Sequence, residues 1–397
     1  MDWLGYAKID FTHAPAPRPI RSKDGTQTDL LKIVEQATPP CQLNPLLFNG
    51  HLQTMWTATK PHGPSVYYRR RLFEAEDPAY EGSFAVDFAV PPHDEVDETL
   101  SRRTVYFTDE QWAGLPSDDS KPMLVVLHGL SGGSHEIYLR HCIAPLMGEG
   151  GWEVCVVNAR GCAKSRFSSG VLYNARATWD ARQYCGEEGS DCLLKAAVVC
   201  SNPFNLEVSS KMMQSRYFSR EVYLRVMGTG MKKLIASHRE DLEKHETRLD
   251  FDALEKVTYL HEFDRLIQVP CWGYPTEYAY YRDASSSDAI TSIRIPFLAI
   301  SATDDPIAVK EAIPFEEFEQ NPNTVLLTTS LGGHLCWFEY GGTRWYTRPV
   351  DNFLNHMAFE TDLAGLDPSE EPTVSGNEAR RTQFDPMRRK MAMSGTS

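Results

Sequence analysis

The chain has no C-x-x-C pair among its nine cysteines, no internal repeat, no excess of positive charge, and no apolar run near the ~20 residues that a membrane-spanning helix needs. Each absence removes a class of protein. Unpaired cysteines in odd number, several inside apolar runs (Cys155, Cys200), argue against a zinc ribbon, a redox dithiol or a disulfide framework, and read as reduced thiols in a cytoplasmic protein. Without a spanning run the chain reads as soluble, with peripheral contact to a lipid surface left open. Forty basic residues against 54 acidic give a net charge of −14, which repels nucleic acid and anionic membranes, so no nucleic-acid partner is expected.

What is present is an α/β pattern. At 397 residues the chain fits one enlarged domain. Residues 1–40 read as an N-terminal extended arm with one helical candidate, "LLKIVEQA" at 30–37. "YYRRRLF" (67–73), "SFAVDFAV" (83–90) and "RRTVYFT" (102–108) alternate as strands do, and "DEQWAGLPSDDSKP" reads as a polar loop. From residue 123 short continuous apolar runs take over: "MLVVL", "WEVCVVNA", "KAAVVCS" (195–201) and "IPFLAIS" (295–301). Such runs suit strands buried on both faces of a mostly parallel sheet flanked by helices. Residues 206–288 are polar and helical in pattern, an insertion readable as a lid or as an ordinary packing layer. Residues 359–397 have few large apolar side chains and read as a disordered C-terminal tail.

Three stretches carry chemistry. "ISATDDPIAVKEAIP" (300–314) places Asp304 and Asp305 just after a buried strand, where they could orient an imidazole or cap the next turn. "TTSLGGHLCWFEY" (328–340) places His334 after the strand "TVLLTTS", behind two glycines that allow a tight turn. Acid after strand, then histidine after strand, is the later part of the Ser, Asp, His order of α/β-hydrolases. "HGLSGG" (128–133) follows "MLVVL" and has two meanings: an oxyanion loop using Gly129 and Leu130, or a G-x-S-x-G frame with Ser131 as nucleophile. Ser134 is a weaker nucleophile candidate, Cys162 lacks a G-x-C-x-G frame and reads as an inert buried thiol, and a metal site from His128, His135, His141 and Glu136 lacks suitable spacing.

"CQLNPLLFNGHLQTMW" (41–56), "HGLSGGSHEIYLRH" (128–141), "GWEVCVVNARGCAKS" (151–165), "LYNARATWDARQ" (172–183), "GEEGSDCLLKAAVVCSNPFNLEVSS" (186–210), "YYRDASSS" (280–287) and "GGHLCW" (332–337) together resemble the YheT-like branch of the α/β-hydrolases. That branch includes medium-chain fatty acid ethyl ester synthase/esterases and abhydrolase-domain lipases. The resemblance covers residues 41 to about 358, the α/β-hydrolase domain. It implies a serine esterase or lipase acting on small acyl esters or thioesters, acyl transfer to an alcohol as a related activity, and no cofactor. It also implies Asp305 as the triad acid, with Asp304 the alternative, His334 as general base, and the N–H of Leu130 among the oxyanion donors.

The chain departs from the branch at one place. There "ARATWDARQ" is followed by a helix, a strand and an elbow resembling G-F-S-L-G-G that carries the nucleophile, whereas here Gln183 is joined directly to Tyr184. About thirty residues, one helix-plus-strand unit, are missing, and the nucleophile serine with them. Two readings follow: an esterase with impaired activity, or a non-enzymatic remnant that binds acyl ligands or protein partners.

Overall fold

A computed structural model of the protein describes residues 4–59, 63–75, 81–115, 121–148, 151–175, 192–245, 249–363 and 366. Its strands are β1 (Ile9–His13), β2 (Pro19–Arg21), β3 (Gln27–Asp29), β4 (Tyr67–Glu74), β5 (Ser83–Val90), β6 (Thr104–Tyr106), β7 (Met123–Leu127), β8 (Glu153–Asn158), β9 (Ala197–Cys200), β10 (Phe297–Ala302) and β11 (Thr324–Thr329). The junction Gln183–Tyr184 and most of the C-terminal tail lie outside the described residues. The described residues divide between two compact units: 4–59, 192–209 and 283–366 in the first, 63–175 and 210–282 in the second.

The first unit is built on a four-stranded sheet in the order β1-β11-β10-β9. β10 runs parallel to both β9 and β11, and every residue of β10 and β11 is buried. That two-sided burial is why "FLAISA" and "TVLLTT" carry almost no charge. Phe297, Ala299 and Leu326 pack with Phe204, Ile290, Ile293 and Phe318 in one core cluster. Residues 1–40, read from the sequence as an extended arm, contribute an edge: Ile9–His13 pairs antiparallel with β11, Ile9 opposite Thr329. The helix Leu30–Ala37 follows, started by Asp29, whose side chain accepts the N–H of Lys32, and it buries Leu30, Ile33, Val34 and Ala37 at the i, i+3, i+4, i+7 spacing of one helical face.

The second unit carries a five-stranded sheet, β6-β4-β5-β8-β7. It is mixed and not mostly parallel: β4 and β5 form an antiparallel pair and β5 meets β8 antiparallel, whereas β4/β6 and β7/β8 are parallel. The loop expected after β6 starts with a short helix, Asp109–Ala113, because Thr108 and Gln111 form a reciprocal capping box. Met231, Ile235, Leu242, Leu254, Val257, Phe263 and Ile267 of the helical insertion pack with Cys162, Phe167, Leu172 and Tyr173.

Each sheet ends on a parallel strand with one neighbour among the described residues. β7 pairs with β8, and β9 pairs with β10. The apolar β7 leaves Met123 and Val125 each 46% exposed, unlike β8, which lies inside the sheet.

A buried ionic network ties the second sheet to its loops. Arg70 and Asp87 face each other across β4 and β5, both fully buried, with Nε to Oδ1 at 2.6 Å and Nη2 to Oδ2 at 2.8 Å. Arg70 Nη1 also donates to the Ala163 carbonyl at 3.0 Å. Asp87 Oδ2 accepts from Ser134 Oγ at 2.5 Å and from Asn158 Nδ2 at 2.9 Å, while Asn158 Oδ1 accepts the Ser134 N–H. Removing one partner of such a pair strands a charge in low dielectric, so Asp87→Ala is expected to cost about 3–5 kcal/mol in urea unfolding. The double change Arg70→Met with Asp87→Leu is expected to recover most of that loss.

Candidate active site

The tight contacts begin where β10 and β11 end. Asp305 is 4% exposed. Its Oδ1 accepts the N–H groups of Ile307 (2.8 Å) and Ala308 (2.9 Å), and its Oδ2 lies 3.0 Å from His334 Nδ1. Capping and orienting, alternatives on paper, are shared between the two oxygens of one carboxyl. With Oδ2 accepting, Nδ1 carries the ring proton and Nε2 keeps its lone pair. Nε2 has no hydrogen-bond partner among the described residues, and the imidazole is about one-quarter exposed.

His334 sits in a loop whose backbone is left-handed at Gly333 (φ 61°), Leu335 (57°) and Trp337 (42°). Such angles cost energy in residues other than glycine, so something must hold them. The helix Gly50–Trp56, started by the Asn49 side chain, supplies much of the hold. Thr54 Oγ1 accepts the His334 N–H at 3.1 Å, and fully buried Gln53 accepts the Phe338 N–H at 2.8 Å. From the end of β9, Ser201 Oγ accepts the Leu335 N–H at 3.0 Å. The two glycines do different work: a Cβ on Gly332 would meet the Trp337 indole nitrogen at 2.4 Å, while Gly333 supplies the positive φ.

Asp304 takes a different part. Its Oδ1 accepts the Gly333 N–H at 3.0 Å, and its Oδ2 is buried with no partner. Burial, opposed by the Gly333 bond and reinforced by the neighbouring Asp305, pushes its carboxyl up to about 6. Asp304 therefore props the glycine turn, while Asp305 holds the imidazole.

Gly129, Leu130 and Ser131 belong to the second unit. The Gly129 N–H donates to Tyr138 Oη at 2.7 Å and the Ser131 N–H to Tyr173 Oη at 3.0 Å. The Leu130 N–H has no acceptor among the described residues, and Leu130 is 42% exposed. So of the two residues expected to serve an oxyanion, the Gly129 amide is already engaged within the protein and the Leu130 amide is not. Ser131 is left-handed (φ 54°), and its hydroxyl has no hydrogen-bond partner among the described residues. Ser134 is committed to the Asp87 network.

His128 Nε2 accepts the Ala159 N–H at 2.9 Å, which leaves Nδ1 protonated and donating to the Gly129 carbonyl at 2.7 Å. Burial lowers its pKa and favours this neutral form. Burial also pushes the Cys162 thiol up to about 12, far from a reactive thiolate. Among the described residues no group of three or more His, Cys, Asp or Glu could hold a metal ion, and no helix is long and apolar enough to cross a membrane.

The chain is 29% identical over 266 residues to the putative esterase YheT of Escherichia coli, covering 60% of this chain and 76% of that one. It is 26% identical over 384 residues to medium-chain fatty acid ethyl ester synthase/esterase 2 of Saccharomyces cerevisiae (79% and 85% covered). To the monoacylglycerol lipase of the same yeast it is 33% identical over 373 residues, 81% of this chain and 82% of that protein. The chain belongs to the YheT-like branch of the α/β-hydrolases. No protein-family model matches it. These three relatives carry the names of esterases and a lipase.

Sequence reasoning missed the clamp on this α/β-hydrolase's histidine loop. "NGHLQTMW" carries the family resemblance, and its Asn N-cap followed by Gln and Thr on one helical turn also signals a helix with polar groups to offer. Tyr138 and Tyr173, which take up the Gly129 and Ser131 amides, carry no such signal.

Asp304 generates a pH prediction with a definite sign. Its folded value of about 6 lies above its ordinary 3.8, so between those values the native state holds more protons than the unfolded state, and stability falls as pH rises through that window. The loss is complete above about pH 6 and is on the order of 2–3 kcal/mol. Asp304→Asn keeps an acceptor for Gly333 and removes the buried charge. Urea midpoints are expected to be higher than for the native protein at pH 8 and equal to it near pH 4.

Proposed function

We propose that this α/β-hydrolase retains the acid and base of an acyl-ester-cleaving centre, Asp305 and His334, and that its turnover is strongly impaired because the segment carrying the nucleophilic serine is absent. The observation that carries the reading is the 3.0 Å contact between Asp305 Oδ2 and His334 Nδ1, with the other carboxylate oxygen pinned by two backbone N–H groups. Medium-chain acyl esters are the substrate class and transfer to an alcohol the accompanying activity, by analogy with the yeast relative named for both.

In a complete centre of this kind, a serine hydroxyl would attack the acyl carbonyl while its proton passes to Nε2 of the imidazole. Asp305 holds the tautomer that leaves Nε2 basic and stabilises the imidazolium that forms. The negative charge on the carbonyl oxygen would be met by backbone N–H donors. Nε2 would then protonate the departing alkoxide, and water or an alcohol would resolve the acyl-enzyme. Supporting the loss of the first step, no serine hydroxyl among the described residues is hydrogen-bonded to His334.

A fluorophosphonate probe tests the proposal. Folded protein is expected to show no stoichiometric serine labelling and to hydrolyse p-nitrophenyl octanoate at a rate about three orders of magnitude or more below that of an intact serine esterase. Labelling of one serine to stoichiometry, abolished by His334→Ala, would show a complete centre and overturn the impairment.

A further inference from the structure

The protein is acidic overall, but one stretch of the insertion is not. Between Lys211 and Lys233 the sequence holds six basic residues and a single acidic one, Glu221. Arg220 and Arg225 both pair with that carboxylate, at 2.9 and 2.6 Å, so the shared ion pair still leaves a positive charge. The same stretch exposes apolar surface that a water-facing helix would ordinarily avoid: Tyr217 is 76% exposed, Val226 67% and Phe218 42%. These residues adjoin. The Arg220 guanidinium lies 5.8 Å from the Tyr217 ring centre, and Arg225 reaches from Glu221 to the Tyr259 ring at 5.1 Å. Arg225 and Lys233 fall on one face of the helix Arg225–Ser237, two turns apart, with Val226 beside them.

Exposed aromatic and aliphatic side chains in a stretch that also carries exposed arginine and lysine match the interfacial layer of a bilayer, where apolar groups enter the headgroup region and long cationic side chains extend to phosphates. The overall charge does not prevent this. Screening confines electrostatics to about 8 Å at physiological ionic strength, so a membrane responds to the local patch and not to distant carboxylates. We propose that residues 216–233 dock this protein on an anionic lipid surface, with Tyr217, Phe218 and Val226 entering the headgroup layer and Arg216, Arg225 and Lys233 meeting lipid phosphates. Binding of this kind needs no catalytic serine, so it stands or falls apart from the ester-cleaving proposal.

Flotation of the full-length protein with vesicles tests it. Vesicles of phosphatidylcholine mixed with phosphatidylserine are expected to carry the protein upward, vesicles of phosphatidylcholine alone to carry about tenfold less, and raised salt to release it. Two double variants, Tyr217→Ser with Phe218→Ser and Arg216→Glu with Lys233→Glu, are each expected to weaken binding about tenfold with unchanged thermal melting. Failure to float with phosphatidylserine vesicles would overturn the proposal. So would equal binding to both vesicle types, or binding unaffected by both double variants.

Discussion

A carboxyl group removed from water has to be met by donors, and the three N–H groups that meet Asp305 fix where His334 points. Two come from the backbone of the turn after β10 and the third is the imidazole itself. Because Oδ1 cannot leave its turn without leaving two backbone N–H groups unpaired, Oδ2 is delivered to one position, and the histidine loop is shaped to reach it. The positive backbone angles at Gly333, Leu335 and Trp337, the glycine packed on an indole, and the hold from Thr54, Gln53 and Ser201 all serve that encounter. The strain is distributed along the loop and the restraint comes from a helix and a strand end remote in sequence.

Much of this was legible from residue order alone. Strands buried on both faces announce themselves as continuous apolar runs, so β7, β8, β9, β10 and β11 lie where "MLVVL", "WEVCVVNA", "KAAVVCS", "IPFLAIS" and "TVLLTTS" place them. The helix Leu30–Ala37 was readable from its periodicity. Less legible were features that depend on a partner not adjacent in sequence. "IDFTH" has no strand signature until β11 is there to pair with it. Arg70, between two other arginines, looks like solvent-facing charge until the β4/β5 register puts it opposite Asp87.

The site shows the same division. The order of Asp305 and His334 after successive strands was visible, because strand ends deliver side chains to one edge of a parallel sheet. The split of labour between Asp304 and Asp305 was not, because it depends on which carboxyl faces the imidazole and which faces the Gly333 amide. The state of the Gly129 amide was equally hidden, since Tyr138 reaches it across a turn whose shape the letters do not disclose.

The edge formed by β7 has a consequence outside chemistry. Among the described residues β8 is its one strand neighbour, its five residues, Met123 to Leu127, include no lysine or proline, and two of its side chains stand half in solvent. Backbone donors and acceptors presented beside oily side chains are what chaperones and proteases inspect, so cellular quality control would set the abundance of this chain as firmly as its folding equilibrium does.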